Sequence, residues 1–235
     1  MRTLSLFGAY HLIFFGVIVP LGAIRSEKRV SVKPLPPRRT HLIGTAVALW
    51  LMTAFSIAVA YVDRIILFPA QPPRAAGVLA GVVMLFATIT FMRPRWRRAV
   101  EKRTRIVHLF MPRDRTERLL WVLVAASAGF GEEITWRAVQ PMLLTRLIGH
   151  PVLAAALVAV SFGIGHMVQG WRSAAIIVAF AASFQVVVWL SGSLYVAMAV
   201  HFLYDLAAGL TYGKLGEELG YPIEGITQPG EPAPA

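Results

Sequence analysis

Gly131-Glu132-Glu133-Ile134-Thr135-Trp136-Arg137 decides how the whole chain is read, because it sets two carboxylates and a guanidinium beside an oily run. Residues 119–130, just before it, are almost wholly apolar. A charge deep in a bilayer costs about 2.5 kcal/mol or more even on lenient insertion scales, so an ionisable residue there points to function. The surroundings decide whether a bilayer is the right setting.

Of the 235 residues, 57% are hydrophobic and 15% charged, against roughly 25% charged in soluble domains; the mean hydropathy is +0.63. A membrane crossing takes about 20 apolar residues. Runs near that length recur at 4–24, 41–62, 75–92, 119–147, 152–167, 173–190 and 194–212. The expected fold is therefore all-α, a polytopic transmembrane helical bundle of about seven spans. The count becomes eight if the long fourth run is broken at Pro141, whose ring removes a backbone donor and clashes one turn back. Residues 1–212 read as one helical membrane domain, and 213–235, with four glutamates and four prolines, as a disordered or surface-lying tail.

The formal net charge of +11 is not spread evenly. Six of the 23 Lys and Arg residues lie in 25–39 and ten in 93–118, two segments between apolar runs. Concentrated cations beside membrane spans mark cytoplasmic loops and attract anionic lipid head groups; they do not call for a nucleic acid. Pro34, Pro36 and Pro37 make the first loop irregular and solvated. The second, with Trp96 and Phe110 interleaved, reads either as a helix lying on the membrane or as a plain connector. The lack of cysteine excludes disulfides, thiolate metal ligands and a cysteine nucleophile.

Only Glu132, Glu133 and Asp205, of 12 acids, lie well inside predicted spans, and His166 and His201 share their depth. His201 and Asp205 are four apart, which stacks them on one helix face, and Glu133 and Arg137 have the same spacing, with the acid first as an ion pair prefers. Glu132 points about 100° away from Glu133, so it is the carboxylate free to face a cavity. Gly163 and Gly165 lead up to His166 and allow a neighbouring helix to approach closely. A carboxylate and two imidazoles suit a hydrolytic site: a base for water, and groups to hold a metal or steady an oxyanion. The simpler alternative is a cluster of buried charges that only specifies helix packing. Five ionisable groups on three helices exceed what packing requires.

Glu132-Glu133…Arg137, Phe162…His166 and His201…Asp205, in that order and each on its own predicted span, resemble the CAAX-protease and bacteriocin-processing (CPBP) family of intramembrane proteases, related to the type II CAAX prenyl endopeptidase. The resemblance covers 119–210. It implies that Glu132 activates water with help from His166, that Glu133 and Arg137 support the site, and that His201 and residue 205 stabilise the oxyanion. Asp205 departs from the family's Asn, and an ionised Asp accepts hydrogen bonds without donating them. Ala138-Val139-Gln140-Pro141 also departs from the family's continuation, and the sixth span lacks its glycines. Glu132, His166, His201 and Asp205 also have the chemistry of a zinc site with an open position, which leaves a metalloprotease and a metal-free activated water both open.

The function expected from this is a hydrolase, an intramembrane endopeptidase acting on a membrane-associated protein or peptide. The chain is expected in a bacterial plasma membrane with both basic loops cytoplasmic. A non-proteolytic membrane scaffold or immunity protein, and a proton- or cation-coupled transporter, are the alternatives.

Overall fold

The computed structural model describes residues 4–222, except the side chains of residues 29, 31 and 32. It is all-α. Seven helical rods follow one another among the described residues: α1 (6–32), α2 (Arg38–Val62), α3 (Ala75–Glu101), α4 (115–148), α5 (Pro151–Gly165), α6 (Trp171–Ser191) and α7 (Leu194–Glu218). Five of them, with α1 counted over Leu6–Lys28, are long and apolar enough to cross a membrane. Their outward faces carry large apolar side chains such as Leu51, Leu79, Phe86 and Leu203, more exposed oil than a soluble surface carries. The chain is an integral membrane protein.

Several rods start at caps written in the sequence. The side chains of Ser5, Asp114, His150 and Ser193 accept from backbone N–H groups at the starts of α1, α4, α5 and α7, satisfying donors that a helix leaves free. Gly149 and Gly192, with φ of 71° and 69°, close α4 and α6 in the left-handed conformation that glycine adopts at no steric cost.

Pro141 does not break the fourth run. α4 passes through it as one rod, built from an α-helix over Arg115–Glu133, a π-helical turn over Ile134–Val139 and a further α-helix over Gln140–Ile148. α1 repeats the device, with a π turn over Phe14–Ile18 just before Pro20. The proline would collide with the carbonyl four residues back, and a wider turn moves that carbonyl aside. In α1 the Gly16 carbonyl, which Pro20 cannot serve, accepts from Ser161 Oγ at 3.1 Å.

The basic segments are more ordered than their composition predicts. Helix α1 continues to Val32, so only 33–37 is irregular in the first. In the second, α3 runs to Glu101 with Pro94 inside it, and Arg105–Phe110 forms a 3-10 turn that buries Val107, His108 and Leu109. Buried polar pairs hold this end together. Arg38 donates to Glu117 Oε2 at 2.8 Å, to the His108 carbonyl at 2.8 Å and to His108 Nδ1 at 2.9 Å. The expected tail also starts later than 213: α7 continues to Glu218, Arg118 pairs with Glu217, and Tyr221 is buried. Residues 223–235 lie outside the described residues.

Helix α4 packs between α2 and α7, and α5 packs on α6, which meets α3. Close approach of the rods depends on glycine, as at Gly129 and Gly163. A Cβ on Gly129 would stand 2.9 Å from the Met198 carbonyl oxygen, and one on Gly163 would stand 2.8 Å from the Ala174 carbonyl oxygen. Gly163 thus performs the role its position predicts, whereas Gly165 has no atom nearer than 3.9 Å. With 15 residues, α5 spans about 22 Å, short of the roughly 30 Å hydrocarbon core. It ends at His166.

Burial pushes the His108 ring down to about 4, and the adjacent Arg38 charge adds to the shift. An unfolded His takes up its proton near pH 6.5, so between these values only the unfolded chain binds it. The contribution of His108 to stability is complete above about pH 6.5 and is lost as pH falls toward 4. Thermal unfolding in detergent should show Tm dropping over this window. In His108→Gln, whose carbonyl accepts from Arg38 without titrating, the drop should be smaller; an unchanged slope would remove His108 from the effect.

Candidate active site

The two central carboxylates have different surroundings. Glu133 is fully buried; its Oε1 accepts from His201 Nδ1 at 2.8 Å, while Oε2 lies 3.4 Å from Arg137 Nε without reaching hydrogen-bond geometry. The four-residue spacing predicts Arg137 as the main partner of Glu133. The π turn, which starts directly after Glu133, widens the helix between them and loosens that pair. His201 takes the stronger place.

A carboxylate oxygen without a proton only accepts, so His201 Nδ1 carries the hydrogen. Its Nε2 then faces Asp205 Oδ2 at 3.4 Å and Glu132 Oε2 at 3.8 Å. His166 Nδ1 sits 2.8 Å from the Phe162 carbonyl, which also only accepts, so this ring leaves Nε2 as its free nitrogen. Glu132, Arg137, His166, His201 and Asp205 line one cavity of about 370 Å³, walled further by Phe162 and Phe184 and, toward the basic end, by Trp96, Phe110, Trp121 and Tyr212. Glu133 stands behind the wall. The structure therefore brings together the four residues expected to carry chemistry, and divides the Glu-Glu pair into one cavity-lining acid and one buried acid.

Supporting contacts come from residues with no motif to mark them. Trp121 Nε1 donates to the Asp205 carbonyl oxygen at 2.9 Å, fixing α7 against α4. Phe184 packs its ring 5.4 Å from that of His201 and lies 5.3 Å from the Arg137 guanidinium, which also lies over the Phe162 ring at 4.3 Å. Behind the π turn runs a buried relay: Gln140 Nε2 to His11 Nδ1 at 3.1 Å, His11 Nε2 to Ser56 Oγ at 2.9 Å, Ser56 Oγ to Thr135 Oγ1 at 2.8 Å, and Thr135 Oγ1 to the Gly131 carbonyl at 2.8 Å. One direction of donation satisfies every link. His11, the lone histidine of the first span, and Gln140 are the sequence signals for it.

Among the described residues, no three His, Asp or Glu side chains converge as the ligands of a metal ion do. His201 has one ring nitrogen bonded to Glu133, which leaves only Nε2 toward the cavity. The groups the cavity itself offers to a reaction are these side chains and water.

An acid and two imidazoles lining a cavity between membrane helices define a class, polytopic membrane proteins with a buried polar site. Residues 114–207 match the family model described as Type II CAAX prenyl endopeptidase Rce1-like, and through this segment the chain is related to the CAAX proteases. The relationship supports a hydrolase, a protease of the CAAX type in its general class. No curated protein and no solved structure matches the chain.

Removing Glu133 would leave His201 Nδ1 and a buried guanidinium uncompensated. Breaking a buried charge pair on one side costs about 3–5 kcal/mol, so Glu133→Ala should lower Tm sharply. Glu132→Ala, in the cavity wall, should unfold close to wild type; equal losses for the two would contradict the division of their surroundings.

Proposed function

We propose that the chain is an intramembrane endopeptidase that hydrolyses a peptide bond of a membrane-associated protein or peptide with a water activated by Glu132. The observation that carries the proposal is that Glu132, His166, His201 and Asp205, drawn from three rods, line one cavity. Glu132 Oε2 is an acceptor for a proton of the water. His166 Nε2, left free by the bond of Nδ1 to the Phe162 carbonyl, accepts the other hydrogen and sets the direction of attack. His201, held by Glu133, and Asp205 form the wall opposite and orient one another across 3.4 Å. The apolar, aromatic remainder of the cavity suits a substrate that arrives from the lipid phase.

The bilayer is a bacterial plasma membrane in this reading. The basic segments face the cytoplasm, where 16 of the 23 cations meet anionic head groups. Both segments and the end of α7 lie at one end of the bundle, joined by Arg38, Arg105 and Arg118.

The test is release of a fluorophore from a membrane-anchored peptide by purified protein in nanodiscs. Glu132→Ala should lower kcat about 10²-fold or more, the usual cost of losing a general base. Equal rates for the variant and wild type would sink the catalytic assignment, and pH-dependent uptake by proteoliposomes without cleavage would favour a transporter.

A further inference from the structure

Arg137 has more donors than partners. Its side chain is 2% exposed, Nε misses hydrogen-bond geometry with Glu133, and Nη1 has no hydrogen-bond partner. An unsatisfied buried donor is costly, more so when charged, and that cost is relieved when a ligand oxygen arrives. The guanidinium lines the same cavity as Glu132, 4.3 Å from the Phe162 ring and 5.3 Å from the Phe184 ring. Residues five apart on a regular α-helix point about 140° away from each other. The π turn, with its i to i+5 bonding, brings Arg137 round to the side of Glu132.

Peptide hydrolysis needs a donor where the carbonyl oxygen becomes charged, and Glu132, His166, His201 and Asp205 supply none. A carboxylate at 205 accepts only. His201 Nδ1 is spent on Glu133, and any proton on Nε2 faces Asp205 and Glu132. His166 directs its Nδ1 hydrogen to the Phe162 carbonyl. We propose that Arg137 is a catalytic residue of this chain, whose unpartnered guanidinium N–H donors hold the oxyanion of the tetrahedral intermediate in the place of the amide that Asp205 lacks. This rests on the hydrolytic reading above. Glu132 takes one proton from water as the water oxygen bonds to the carbonyl carbon, and the C=O π pair moves onto the oxygen beside Arg137. Collapse re-forms the carbonyl and breaks the C–N bond, and the proton on Glu132 passes to the leaving nitrogen.

Cleavage of the anchored peptide is measured for R137Q, D205N, the double variant and E132A, with thermal unfolding as the folding control. R137Q should lower kcat about 10²–10³-fold, as for loss of an oxyanion donor, with KM changed less than about threefold. Adding D205N should recover about tenfold or more of kcat, because its amide supplies a donor to the same cavity. A kcat for R137Q within about threefold of wild type, a loss confined to KM, or a loss that D205N does not recover would overturn the role. Should R137Q fail to fold, R137K keeps the charge and loses the planar fork; its kcat should fall about tenfold and recover with D205N, and no fall would overturn the role. E132A cleaving at the wild-type rate would defeat the hydrolytic reading itself, whatever Arg137 does.

Discussion

The hydrogen bond from His201 Nδ1 to Glu133 Oε1, 2.8 Å long and inside the bundle, is the interaction on which the site depends. A fully buried carboxylate is tolerable only if its charge is met by donors. Meeting it fixes the tautomer of His201, joins α4 to α7 and turns Nε2 toward the cavity. Gly129 makes the bond reachable, since any side chain there would hold the two backbones apart. Trp121 secures the same pair of rods from the other side of Asp205.

The structure separates its polar groups by depth. At the basic end, Arg38 draws the start of α2, the Arg105–Phe110 turn and the start of α4 into one cluster through Glu117 and His108. At the opposite end, Asp63 accepts from Ser5 and faces Arg146, tying α1, α2 and α4. Between them lie the cavity and the His11 relay, while the outer faces are given over to Leu, Val, Ile and Phe. Among the described residues, the fully buried side-chain nitrogens and oxygens without a hydrogen-bond partner belong to Arg113, Glu133 and Arg137. Of these, the Arg137 guanidinium lines the cavity.

Much of this is legible in the chain. Apolar runs give the rods because only a helix satisfies its own backbone in lipid, and the rarity of acids inside them isolates Glu132, Glu133 and Asp205. The spacing of His201 and Asp205 reports a true shared face, because α7 is regular throughout. The spacing of Glu133 and Arg137 misleads for the opposite reason. It assumes 3.6 residues per turn across a stretch that is π-helical, and no local propensity announces that widening beyond Pro141 downstream. The extension of α3 to Glu101 and of α7 to Glu218 is hidden as well. Charge marks where a helix leaves the membrane, and it does not mark where the helix stops.

The π turn also acts as an inserted residue in the phase of α4. Upstream of it, Glu133 sets the angle at which the rod meets α7; downstream, Gln140 and Leu143, both shielded from solvent, set the angle at which it meets α1 and α2. A single deletion within Ile134–Val139 would restore a regular helix and swing the downstream half by about 100°, carrying those two side chains out of the interior while Glu132 stayed in place. The rod is thus two independently phased helices joined end to end, one oriented toward the cavity and the other toward assembly of the bundle.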